Sequence, residues 1–257
     1  MSHAQRLRAR LCLRAVLPLL EVVIHEDQGA RSLAHSLQGA AVHVASLEGQ
    51  GAWLVFEGSE VSVGGERSAR SKDLELHFES DRRLADFFAG KLAVPGLGAL
   101  RSPRKLAALL RLLLRLGVLE PGRRVAPGEG PLYVKLIFRL LTRALAELHE
   151  GGHEEMVALA RASPDRVYQW RVLETGEGAW LRMERGRVQA GHGLFEGRAP
   201  FVETLFPTTE AACRVLSTPS SSMERAIAGD VRHEGSPDYA RKISVLAQKM
   251  DALLRGV

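Results

Sequence analysis

Gly51-Ala-Trp-Leu54 recurs as Gly178-Ala-Trp-Leu181, displaced by 127 residues in a chain of 257. Carried forward without a gap, the same offset lays Glu57 on Glu184, Val61 on Val188 and Gly64 on Gly191. A four-residue identity alone would be weak, but the order of elements downstream repeats as well. In the first copy Leu74, Leu76 and Phe78 alternate with polar residues, which predicts a half-buried strand. Ser80 and Asp81 then offer capping oxygens to a helix carrying Leu84, Phe87 and Phe88. In the second copy the offset puts Phe201, Glu203 and Leu205 in the strand positions. Pro207, Thr208 and Thr209 open a helix with Ala211, Ala212, Val215 and Leu216. On this reading Glu203 replaces Leu76, a departure that predicts partial exposure of the second strand.

Each half also begins with a helix. Apolar residues recur at helical spacing from Leu7 to Ile24, and again from Leu132 to Leu148 with Val134, Ile137, Phe138, Leu141 and Leu145. Between the halves, residues 120–131 hold three prolines and three glycines, a composition that continues neither helix nor strand. The expected organisation is a first copy over 1–119, a linker over 120–131 and a second copy over 132–257. Each copy reads as helix, short helix, three strands, helix, one or two strands, helix.

Composition limits the function classes. With 46% apolar and 25% charged residues the chain reads as a folded, water-soluble protein. Cys12 and Cys213 lie far apart in apolar contexts, so reduced thiols in a cytoplasmic protein are expected. No stretch has the apolar length of a membrane span. Arg6, Arg8, Arg10 and Arg14 precede an apolar run as in export signals, but Pro18 and Glu21 interrupt it. The acid-free first twenty residues leave a transit peptide open. The net charge of +5 falls entirely in residues 1–127, with 18 basic against 13 acidic residues, and Phe87 to Leu119 contains no acid. Such a surface suits an anionic partner, although a general preference for arginine would produce the same excess. Aromatic residues are 5% and no reading helix or stacking platform is evident, so no nucleic-acid partner is expected.

The element order, together with two stretches, resembles the sterol carrier protein type 2 (sterol-binding domain) family in two tandem divergent copies. Residues 228–243, Ala-Gly-Asp-Val-Arg-His-Glu-Gly-Ser-Pro-Asp-Tyr-Ala-Arg-Lys-Ile, look like its closing strand between Gly229 and Gly235 followed by an amphipathic helix. Residues 73–91 look like its strand–helix–glycine unit. In the first copy the closing strand is shortened to Leu92–Leu100, and Pro95 cannot donate to a ladder, which predicts a frayed or rebuilt strand.

The resemblance implies an α+β fold: two sterol-carrier-like units, each a small mixed β-sheet covered by helices on one face. It also implies an apolar tunnel for a sterol, fatty-acyl or polyprenyl lipid, without catalytic residues, cofactor or metal. The candidate lining is Leu84, Phe87, Phe88, Leu106, Leu109, Leu110 and Leu113 in copy one. In copy two it is Val215, Leu216, Met223, Ile227, Tyr239, Ile243, Leu246 and Met250. The alternative for any of them is ordinary core filling. An accessory protein or scaffold that keeps the fold without a working cavity is the second functional reading. Copy two, with its full glycine strand, is the expected ligand holder.

Residues 101–116 form a leucine-rich basic helix with Arg101, Arg104, Lys105, Arg111 and Arg115. It has more leucine than a one-sided surface helix uses, so either two faces are buried or the excess meets an anionic membrane surface. Finally, His149-Glu-Gly-Gly-His153 matches the H-E-x-x-H pattern of zinc hydrolases. That chemistry needs both histidines on one face of a continuous helix and a third ligand, for which Glu174 and Glu177 are the candidates. Gly151 and Gly152 instead predict a helix stop, which leaves zinc-dependent hydrolysis a minor alternative. The remaining histidines, His25, His35, His43, His77, His192 and His233, show no ligand spacing.

Overall fold

In the computed structural model, residues 2–64, 73–100, 102–119, 125–126, 128–217 and 229–256 are described. The chain divides into two compact units, Met1–Gly117 with Leu253–Val257, and Val118–Ala252. Each unit is built on one five-stranded mixed sheet with helices, so the fold is α+β.

Unit 1 opens with α1 (His3–Leu11), capped by Ser2, whose hydroxyl accepts from the Gln5 N–H while Gln5 reaches back to the Ser2 N–H. The predicted continuous helix is interrupted. Pro18 has no N–H to donate, and the turn before it widens so that the Leu17 N–H reaches the Cys12 carbonyl at 2.9 Å. The helix resumes as α2 (Leu19–Glu26), and Asp27 then caps α3 (Gln28–Ser36). Strands β1 (Ala41–Ser46), β2 (Gly51–Glu57), β3 (Glu60–Gly64) and β4 (Leu74–Phe78) follow, then α4 (Asp81–Phe88), β5 (Gly96–Leu100) and α5 (Pro103–Leu114).

Unit 2 runs α6 (Gly130–Glu150), α7 (Glu154–Arg161), β6 (Arg166–Val172), β7 (Gly178–Glu184), β8 (Arg187–His192) and β9 (Val202–Phe206). It closes with α8 (Thr209–Ser217), β10 (Arg232–Gly235) and α9 (Pro237–Arg255), which counts in this unit as far as Ala252. Four strands, not three, precede the helix in each unit.

The strand order is β3-β2-β1-β4-β5 in one sheet and β8-β7-β6-β9-β10 in the other. In both sheets the central pair, β1 with β4 and β6 with β9, is parallel and all other pairs are antiparallel. One face of each sheet is apolar. Val42, Val44, Leu54, Phe56, Leu74, Leu76 and Phe78 are buried in unit 1, as are Tyr168, Val172, Leu181, Met183, Val202 and Phe206 in unit 2. In unit 2 this is the face under α6, since Phe138 packs on Phe206 with ring centres 5.8 Å apart.

The ladder corrects the alignment of the fourth strands. Leu74 pairs with Val42 and Val202 with Tyr168, so Val202, Thr204 and Phe206 stand where Leu74, Leu76 and Phe78 stand. Phe201, Glu203 and Leu205 are not the matching residues. The connection from Gly191 to Val202 is one residue longer than that from Gly64 to Leu74, and one residue of slip exchanges the two faces of a strand. Glu203 therefore answers to Glu75. His43 Nδ1 lies 3.2 Å from Glu75 Oε1, and Gln169 Nε2 donates to Glu203 Oε1 at 2.7 Å, at matching places in the two sheets.

Strand β5 forms directly after Pro95, with an irregular register between Leu74 and Leu76. Gly96 makes room there for the His77 ring, which would have to swing aside from a Cβ placed 2.2 Å away.

Candidate functional site

The candidate lining residues of unit 1 occupy three environments. Leu84 and Leu109 are fully buried, Phe87, Phe88, Leu106 and Leu113 are half-buried, and Leu110 lies at the solvent boundary. Phe87 stands between Phe78 and Phe88, with ring centres 5.3 and 5.6 Å away. On the outer side of α5, Leu114 is 77% exposed beside exposed Arg104, Arg111 and Arg115, while Lys105 is half-buried. Arg115 Nη1 also pairs with Asp27 Oδ2 at 2.9 Å. Arg101 lies outside the described residues.

In unit 2, Ile243, Leu246 and Met250 form the buried stripe of α9, and Val215, Leu216 and Tyr239 are half-buried. Met223 and Ile227 lie outside the described residues, as does Ala228 of the glycine-strand segment. Gly235 ends β10 with φ +92°, and a Cβ there would meet the Phe201 carbonyl oxygen at 2.1 Å. The turn into α9 thus fits closely against Phe201.

Phe201 leads to a group that the sequence did not single out. Its ring meets Tyr239 at 5.3 Å and Tyr168 at 6.3 Å, both edge-on. The Arg166 guanidinium lies over the two half-buried rings, its Cζ 4.7 Å from the Phe201 centroid and 4.0 Å from that of Tyr239. Lys242 approaches Tyr239 from α9 at 4.6 Å.

Tyr168 is 1% exposed, and its phenol oxygen has no hydrogen-bond partner. Ser163 and Arg166 stand beside the phenol, but the Ser163 hydroxyl donates to the Leu159 carbonyl at 2.8 Å. Burial pushes the phenol above its usual range, against the opposing pull of Ser163 and Arg166, so at neutral pH it is a proton donor. Arg166 Nη1 is buried and likewise has no partner. Its neighbour Asp165 is occupied by Arg182 at 2.9 Å and Arg198 at 2.6 Å. Two donors without acceptors are thereby held among three aromatic rings, at the end of the sheet where β6 and β9 begin. The alternation Arg166, Tyr168, Trp170 was visible in the sequence, but which face of β6 meets the helices was not.

His149 and His153 do not share a helix. Gly151 caps α6, Gly152 has φ +78°, and the His153 N–H donates to the Leu148 carbonyl at 2.9 Å. With the Gly152 N–H on the His149 carbonyl, this is a Schellman stop. His153 then sits at the start of α7, and Glu174 Oε2 accepts the Thr209 N–H at 2.9 Å, capping α8. Among the described residues no group of three or more His, Cys, Asp or Glu is placed to hold a metal, and no helix is long and apolar enough to cross a membrane.

No family model matches the chain, and no curated protein matches it. Among solved structures, the chain is similar to a UbiJ-SCP2 ubiquinone synthesis protein at 17% identity, covering 47% of this chain and 93% of that one with a TM-score of 0.31. It is also similar to the stereoselective inverting sec-alkylsulfatase Pisa1 from Pseudomonas sp.. There the identity is 17%, the coverage 65% of this chain and 24% of that chain, and the TM-score 0.28.

Proposed function

We propose that the protein binds a hydrophobic molecule, a sterol, fatty-acyl or polyprenyl lipid, without performing chemistry on it. The observation that carries this reading is the aromatic group of unit 2, where Phe201 and Tyr239 are half-buried around a fully buried Tyr168. Rings closed against one another would be core; rings left partly open at a sheet end offer an apolar surface to a ligand. The sequence resemblance to sterol carriers points the same way. Hydrocarbon burial is worth about 0.8 kcal/mol per methylene, so such a site works without catalytic groups. Mass spectrometry of organic extracts of the purified protein tests it. A reproducible long-chain lipid is expected; empty extracts together with no binding of the fluorescent fatty acid cis-parinaric acid would overturn it.

In unit 1, Leu84 and Leu109 are sealed in the core while Phe87, Phe88, Leu106 and Leu113 are half-buried, and the accessory reading for this unit rests on its basic helix α5. Its role is delivery. Leu110 and Leu114 with Arg104 and Arg111 give α5 an outer surface that gains about 1 kcal/mol per basic side chain near anionic headgroups. Flotation with phosphatidylglycerol vesicles is expected to carry the protein up, and with phosphatidylcholine vesicles not. Absence from both layers would remove membrane delivery.

A further inference from the structure

We infer that Arg166 and Tyr168 form an oxyanion seat at the polar end of the unit 2 site, so that the ligand is an anionic amphiphile and not a neutral lipid. This rests on the hydrophobic-ligand reading and narrows it.

Three observations carry it. First, Arg166 Nη1 is buried without an acceptor and without an ion pair among the described residues. A guanidinium cannot shed its proton to relieve that burial, as a lysine would, so an acceptor brought by a ligand would be favoured there. Second, the Tyr168 hydroxyl is an unpartnered donor two residues along the same strand face, beside that guanidinium. One carboxylate, with two oxygens in a plane, satisfies both groups, accepting from the guanidinium and from the phenol. Third, the surround is aromatic: Phe201 and Tyr239 flank the cation and leave an apolar wall for the chain that the head group bears.

Unit 1 lacks the seat. At the positions of Arg166 and Tyr168 in the first sheet stand Ala40 and Val42. In place of Phe201 is Asp73, whose carboxylate accepts the Ala41 N–H at 3.0 Å.

The test compares cis-parinaric acid with its methyl ester on the full chain. The acid is expected to bind at least about tenfold more tightly, as loss of a charge-assisted hydrogen bond predicts. Arg166→Met is expected to abolish that preference, weakening the acid far more than the ester. Tyr168→Phe, which keeps the ring, is expected to reduce the preference several-fold, and serves alone if the first variant does not fold. Competition then separates the sources of the oxyanion. Displacement by laurate but not dodecyl phosphate supports a carboxylate seat, and displacement by both supports a general one. Equal binding of acid and ester by the unaltered chain overturns the seat and leaves the hydrophobic site standing. Binding of neither overturns both.

Discussion

Two carboxylates on one helix illustrate how neighbours set the pH response of this chain. Asp81 is fully buried at the start of α4, where burial pushes its carboxyl above the usual range. The Ser46 hydroxyl and Arg6 pull it down, and Glu48 adds to the rise. The folded state therefore holds the Asp81 proton more tightly than the unfolded one. The stability this confers is complete below the ordinary aspartate value near 4 and is lost as pH rises through the folded-state value. Asp81→Asn is accordingly expected to gain on the wild type between pH 3 and pH 7 in urea midpoints. A difference independent of pH would refute it. Asp86 runs the other way. Burial raises its carboxyl, but the Arg8 guanidinium at 2.9 Å, with Lys91 and Arg82, outweighs that and holds it low. Its contribution is present at neutral pH and fades as the solution is acidified. The thiols differ likewise. Cys12 is sealed at the end of α1, its pKa pushed up to about 12 by burial, whereas Cys213 is half-buried. In a thiol titration with Ellman's reagent Cys213 should react first, and Cys12 only on unfolding.

At the scale of elements, the two units fasten the same helix by the same device. After β1, Glu48 reaches across to accept the Asp81 N–H at 2.7 Å, and after β6, Glu174 does so for Thr209 at 2.9 Å. Each anchors the first turn of the helix that follows the parallel strand, where a carboxylate also meets the positive end of the helix dipole. Glu174→Ala should cost roughly 1 kcal/mol, read as a shift in the urea midpoint. Gly235→Ala should cost more, about 1–3 kcal/mol, and should weaken parinarate binding through Phe201. Unchanged binding would detach the turn from the site. These elements show where the sequence was legible. Ser80 and the Gly151-Gly152 stop announce themselves within a few residues, so α4 and the end of α6 could be read directly. Glu48 and Glu174 act across more than thirty residues and gave no local sign. The face of β9 was misread because one extra residue in the preceding connection leaves no mark until its partner strand is known. Arg166 and Tyr168 were passed over for the same reason: a charge at a strand start looks like a solvent residue until the ladder shows which way it faces.

Across the whole molecule the plan is repeated but the interior chemistry is not. Ala40, Val42 and Asp73 occupy in the first sheet the places held by Arg166, Tyr168 and Phe201 in the second. A titration monitored by native mass spectrometry is thus expected to saturate at one fatty acid per chain. Two equivalents of equal affinity would contradict that division of labour. The parallel pairing at the centre of each sheet also dictates a timetable. Strands β1 and β4 cannot meet until the intervening hairpin of β2 and β3 has turned the chain back, since closing that long loop has an entropic cost which nearby contacts must first offset. In refolding followed by pulsed deuterium labelling, the amides of Val55 and Ser62, which face each other across β2 and β3, should acquire protection before that of Glu75, which faces β1. The parallel seam, β1 against β4 in one sheet and β6 against β9 in the other, is then the last part of each sheet to assemble and the first to come apart.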